Sequence, residues 1–209
     1  MMEDDRGFSD RKWLRGPALL CYSIVFSTLM GCSRSPVVEY YTLIPDVVEE
    51  QSPAKTKAQR TLQVVLPTLP ALVDRAEFTE IETQNRVTVH ENIRWAVDLR
   101  KIVRDYFIVH LKHAVPQLDV ISSATKIVSR DSHKLVVVFD RFDVYAGRYV
   151  DLSMSWRISD AAKARQQNRQ EISVQQTIEG EQASQAIDAI RLGLGAIAER
   201  ISAEIATRY

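Results

Sequence analysis

Four histidines, His90, His110, His113 and His133, are the side chains best suited to base or metal chemistry. His110 and His113 stand three apart in a helical pattern and can approach one another, yet no Glu or Asp occupies the neighbouring position that a zinc-binding HExxH helix requires. Basic side chains near a helix C-terminus are explained by its dipole, so the pair implies no metal site. Ser129, Asp131 and His133 fall within five residues. A catalytic relay normally joins distant loops, and a polar turn before the strand around Leu135 is the simpler reading. Asp140 and Asp143 frame Arg141 and Phe142. Paired carboxylates can share acid and base work, but alternation beside a cation near a strand end favours turn capping and surface pairing. Gly193-Leu194-Gly195 sits inside a helical pattern and does not follow a strand, so it is no phosphate loop. These patterns leave no residues on which to place a catalytic activity, and the expectation is a non-enzymatic chain without cofactor or metal.

Cys32 is different, because its neighbours dictate a chemistry. Arg11, Lys12 and Arg15 precede an apolar run from Ala18 to Met30, and Gly31 and Cys32 follow. That is the anatomy of an export signal. The run is about 13 residues long, short of the roughly 20 that a bilayer core asks for. Leu29-Met30-Gly31-Cys32 resembles the bacterial lipobox, in which the thiol is diacylated, cleavage falls just before the cysteine, and the freed amine is acylated in turn. Residues 1–31 are then a lipoprotein signal peptide, 32–36 a lipidated tether, and 37–209 a periplasmic domain. Met1 to Asp10 is long and acidic for such a leader. Each buried methylene contributes about 0.8 kcal/mol, so one fatty chain such as palmitate holds a protein marginally while several hold it firmly.

The chain from Cys32 onward is within the range of one domain and can bury a full core without staples. Cys21 leaves with the signal and lipid consumes Cys32, so no thiol remains for a disulfide, a metal or redox work. Lys plus Arg equals Asp plus Glu at 27 each. Without a concentrated positive face there is no nucleic-acid footprint.

The elements around these residues follow from periodicity. Val37 to Ile44 reads as a strand ended by Pro45, with Tyr40 and Tyr41 on opposite faces. Residues 46–60 read as a mobile loop. Leu62 to Leu66 is a second strand, and Leu69 to Arg75 has room for a helical turn. Phe78–Thr83 and Arg86–His90 flank a hairpin turn at Gln84-Asn85. Asn92 is the expected N-cap of a long helix on which Trp95, Leu99, Ile102, Tyr106 and Val109 share one face, with Val103, Phe107 and Leu111 beside them. Leu118 to Ser122 and His133 to Phe142 are strands. In Val144 to Arg157, beyond a turn at Ala146-Gly147, the residues Val150, Leu152, Met154 and Trp156 alternate with Asp151, Ser153, Ser155 and Arg157. Residues 160–169 read as an exposed excursion and Glu171 to Ile178 as a strand. Ala183, Ile187, Ile190, Leu194, Ile197, Ile201 and Ile205 trace a final helix, in which Gly193 and Gly195 point to close backbone packing. The expected fold is a single α+β domain, a mostly antiparallel or mixed sheet against two long helices, with Trp95, Trp156, Leu194, Ile197 and Ile201 in its core.

Cys32, Tyr40-Tyr41-Thr42-Leu43, Leu66-Pro67 with Leu72 and Arg75, Arg94-Trp95, Arg141-Phe142, Trp156, and Ile197-Ala198 through Ile201 occur in this order. Together they resemble the paraquat-inducible protein C family, the auxiliary lipoproteins of MCE-type intermembrane transport systems. The resemblance implies a non-catalytic domain lipid-anchored to the outer membrane, facing the periplasm, that docks or anchors a conduit formed by an MCE-domain membrane protein. It implies phospholipid or another hydrophobic molecule as the cargo of the system, and leaves self-association open. A structural lipoprotein of another envelope secretion or assembly complex is the alternative. Tyr40, Tyr41 and Arg141 are the candidate partner-binding residues, because aromatic and arginine side chains commonly anchor interfaces. Core packing of the tyrosines and an internal ion pair for Arg141 are the competing readings.

The lipobox makes a direct prediction. Intact mass of membrane-extracted protein should show a chain beginning at acylated Cys32, and Cys32→Ser should lose both acylation and normal processing. Ser33 in place of Asp fits transfer to the outer membrane, so envelope fractionation should find the wild-type protein there; recovery only with the inner membrane would refute that sorting.

Overall fold

A computed structural model describes residues 36–46, 60–125, 132–160 and 169–208. The signal region, Cys32, most of the 46–60 loop, Ser129 to Asp131 and the excursion after Asp160 lie outside the described residues. From Val38 to Tyr209 the chain forms one compact unit. Its elements are β1 (Glu39–Tyr41), β2 (Arg60–Val64), β3 (Glu77–Thr83), β4 (Arg86–Trp95), α1 (Leu99–Ala114), β5 (Leu118–Ser122), β6 (Ser132–Tyr145), β7 (Tyr149–Asp160), β8 (Gln170–Thr177) and α2 (Ala183–Ala206). All eight strands join one mixed sheet, so the fold is the expected α+β domain with two long helices.

β6 is the axis of that sheet. One of its edges pairs antiparallel with β7, which pairs antiparallel with β8. Its other edge is shared. β2 runs parallel to it from Ser132 to Leu135. Thr68 then bridges its middle, donating to the Val137 carbonyl and accepting from the Phe139 amide, and Ile81 of β3 meets its end at Tyr145. Pro67 and Pro70 explain the break: each lacks an N–H, so the chain cannot continue the ladder past β2. β5 extends the sheet beyond β2, while β4 and then β1 extend it beyond β3.

A register shift between Phe139 and Arg141 leaves Asp140 as an extra residue in β6. Before it, Leu135, Val137 and Phe139 point into the core; after it, Phe142 and Val144 do. Strict alternation would send one phenylalanine to solvent. The bulge turns both inward, where their rings meet edge to face with centroids 5.4 Å apart.

Both helices cover this apolar face, α1 over β5 and β2, α2 over β7 and β8. Val150, Leu152, Met154, Trp156 and Ile158 of β7 are all buried there, as are Ile187, Ile190, Leu194, Ile197, Ile201 and Ile205 of α2. Gly193 permits close approach: a Cβ at that position would stand 2.9 Å from a Leu152 methyl. The helices are latched where the Tyr106 hydroxyl donates to the Arg191 carbonyl at 2.9 Å, against the Cα of Gly195.

Three expectations need correction. The first helix does not begin at Asn92. Asn92 to Trp95 belong to β4, where β1 pairs parallel with Ile93 to Trp95 and the Trp95 amide donates to the Ala76 carbonyl. Asp98 is the cap, accepting from the Arg100 amide at 2.9 Å. Trp95 is therefore a core strand residue, in edge contact with Phe78, and does not open the helix. Val109 is exposed, and the buried stripe comprises Leu99, Ile102, Val103, Tyr106, Phe107 and Leu111. Finally, the first strand is only Glu39–Tyr41, since Leu43 to Pro45 leave the β4 edge and the Asp46 carboxylate reaches Arg191 on α2.

Trp156, 4% exposed beneath the end of α2, anchors the second helix. Trp156→Ala should cost about 3 to 5 kcal/mol in chemical denaturation, whereas Tyr106→Phe, which removes one latch hydrogen bond, should cost about 1 kcal/mol. Equal, small losses would refute the packing described.

Candidate functional site

No described helix packs on the opposite face of the sheet. The hairpin turn at 146–148, with Gly147 at φ 61°, fixes what that face displays, because β6 and β7 residues equally distant from the turn become partners. Tyr145 faces Tyr149, and Asp143 faces Asp151. The tyrosine rings meet at a tilt of 36° with centroids 4.6 Å apart, and the Arg148 guanidinium lies over both at 5.2 and 5.8 Å. Arg141 pairs with Asp151 at 3.1 Å. Farther out, Ser173 donates to Ser153 at 3.0 Å, and Arg169 pairs with Asp140 at 3.4 Å.

Asp143 carries a carboxyl whose titration its surroundings shift. Burial raises its pKa above the ordinary 3.8, the Asp151 charge adds to the rise, and Arg141 opposes it. Arg141 lies between Asp140 and Asp143 in sequence but bonds to Asp151, and its side chain remains 54% exposed. It has both an internal partner and a guanidinium surface open to a second one.

The other sequence candidates are placed apart from this cluster. Tyr40, in register with Arg94 and through it with Glu77, lies on the open face and is 64% exposed. Tyr41, in register with Trp95, packs against the core and donates to Glu39 at 2.7 Å, a bond that raises its pKa. Between β1 and β6 stand β4 and β3, so Tyr40 and Arg141 share a face but make no common site. Trp95, Trp156, Leu194, Ile197 and Ile201 are all buried.

The histidines are dispersed. His90 bonds Glu80 at 2.8 Å. Burial pushes the His110 pKa below its ordinary value, and His113 adds to that shift while Glu199 opposes it. Among the described residues no group of three His, Cys, Asp or Glu side chains could hold a metal ion. Sequence reasoning missed Asp151, Tyr145, Tyr149 and Arg148 as neighbours of Arg141. The signal was present, since placing the turn at Ala146-Gly147 already pairs them.

With the geometry in hand, comparison with known proteins decides the family. Residues 41–202 match the model of the ABC-type transport auxiliary lipoprotein component. The chain belongs to that family. The match runs from β1 to the last turns of α2, across the whole sheet. A crystallised protein of the DUF330 family from Xanthomonas campestris is 15% identical, with a TM-score of 0.64 over 82% of this chain and 100% of its own. Another crystallised, uncharacterised protein is 16% identical, with a TM-score of 0.67 over 81% of this chain and 99% of its own. At such identities the likeness is one of fold. No curated protein matches the chain. As a member of this family the chain is an auxiliary lipoprotein of ABC-type transport, held in the envelope at a membrane.

The Asp143 environment predicts a pH dependence. A carboxyl whose folded pKa is raised contributes stability below its unfolded value that is lost as pH rises through the folded value. Wild-type protein should therefore lose stability relative to Asp143→Asn as pH climbs from about 3.8 toward neutrality. Melting temperatures of the two proteins across that range check this, and parallel curves would contradict it.

Proposed function

We propose that this auxiliary lipoprotein serves an MCE-type lipid transport system, anchored by acylated Cys32 to the outer membrane and docking the periplasmic conduit of an MCE-domain partner without catalysing a reaction. Support comes from the order of motifs from Cys32 through Ile201 and from membership in an auxiliary transport family. The observation that carries a docking role is the open sheet face, where Arg141 and the adjoining Tyr145 and Tyr149 with Arg148 present aromatic and guanidinium groups beside paired carboxylates. Such side chains anchor protein interfaces. They are held by cross-strand partners. Phospholipid is the proposed cargo of the system, carried by the partner's conduit.

Co-purification from detergent-solubilised envelopes tests this reading. An MCE-domain protein should be recovered with the wild-type chain, and Arg141→Ala should weaken its recovery several-fold while leaving Cys32 acylation intact. Recovery of a different secretion or assembly complex would favour the alternative lipoprotein role. Unchanged lipid exchange and assembly after deletion of the whole protein would refute the proposal.

A further inference from the structure

The outermost segment of the sheet has an unusual pattern. Tyr41 and Leu43 turn inward, while the alternate residues Val38, Tyr40 and Ile44 turn outward with 40%, 64% and 69% of their surfaces exposed. Val97, 57% exposed, joins them, because the Ala96 amide donates to the Tyr41 carbonyl at 2.8 Å and holds the two segments side by side. β1 has no strand on its outer side among the described residues. Four large apolar side chains thus crowd one edge, whereas scattered single ones would need no explanation.

Most charges around this edge have an opposite partner, while Glu39 of β1 accepts from the Tyr41 hydroxyl. Arg100 pairs with Asp74 and Asp98, Glu77 with Arg75 and Arg94, and Asp46 with Arg191. Paired charges resist transfer toward a less polar medium less than lone ones do. The position of the edge in the chain indicates what that medium is. Val38 is six residues beyond Cys32, a reach of at most about 20 Å when fully extended. Once Cys32 is acylated, this edge cannot leave the neighbourhood of the lipid surface.

We infer that Val38, Tyr40, Ile44 and Val97 form a membrane-contact edge that rests in the headgroup layer of the bilayer to which Cys32 is tethered. The inference rests on the acylation of Cys32 proposed above. Tyrosine and aliphatic side chains suit this layer, which lies between water and hydrocarbon. The acyl chains supply the anchorage, and the edge supplies orientation: it lays β1 against the lipid and turns β8, the edge across β6 from it, away.

The test uses the processed, full chain in vesicles of phosphatidylethanolamine and phosphatidylglycerol. Ile44→Cys, Val97→Cys and, as the distant control on β8, Gln175→Cys would each carry a fluorophore; all three positions are exposed, so substitution leaves the core intact. A phospholipid spin-labelled near its headgroup should quench positions 44 and 97 at least threefold more than position 175. Flotation with the vesicles but equal quenching at all three positions leaves the anchor standing and overturns the membrane-contact edge alone. Failure to float refutes the acylated anchor, and the inference falls with it. Labels at 44 and 97 that report another label nearby in detergent, and stay shielded from quencher in vesicles, would show that a second copy of the chain covers the edge, which also overturns the inference.

Discussion

Backbone hydrogen bonding along both edges of β6 is the constraint on which the rest of the structure depends. A strand of 14 residues has more edge than any single neighbour here can cover, and unpaired backbone groups in a buried centre are costly. β7 satisfies one side throughout. Three separate segments divide the other: β2, the Thr68 bridge and the end of β3. Each partner brings further strands with it, so β5 arrives through β2, and β4 and β1 through β3. The bulge at Asp140 lies opposite the break in that second edge, between the Thr68 bridge and the β3 pairing. There the ladder is already interrupted, and an extra residue disturbs least.

Sidedness follows from the same strand. With Phe139 and Phe142 both turned inward, Arg141 and Asp143 must turn outward, where β7 meets them with Ser153 and Asp151. The burial of the aromatic pair under the helices and the polar character of the exposed face are two results of one bulge. An enclosed reaction centre needs groups converging on a cavity; this face instead presents groups tied in cross-strand pairs, suited to meeting another surface. Many unrelated activities share α+β folds, so the functional conclusion rests on these side chains and on the family, not on the architecture.

Much of this was legible in the sequence where local chemistry and global packing agree. Gln84-Asn85 is a turn because both flanking strands need one there, and the alternation from Val150 to Trp156 survives because β7 has a helix-covered face and an open one. The spacing of Ile187 to Ile205 marks α2 for the same reason. Legibility failed where two periods coincide. Trp95, Leu99 and Ile102 are spaced as on a helix, but Trp95 reaches the core from a strand and the other two from a helix that begins only at Asp98. Parallel pairing with β1, a contact more than 50 residues distant in sequence, outweighed the helical pattern. The bulge was hidden in a similar way: Phe-Asp-Arg-Phe reads equally as a strand end, and only the pairing with Met154 and Ser153 shows that the strand continues.

The strand order also relates the two surfaces. From β1, three steps through β4 and β3 reach β6, about 14 Å at the usual spacing between neighbouring strands. With β1 held in the headgroup layer, itself only about 6 Å deep on each side of the hydrocarbon, Arg141 and the Tyr145–Tyr149 pair would stand clear of the lipid and face the aqueous space. A protein conduit approaching the membrane would meet that cluster without displacing the edge that orients it. Tether, edge and open face can then act together, because the sheet separates lipid contact from protein contact by its own width.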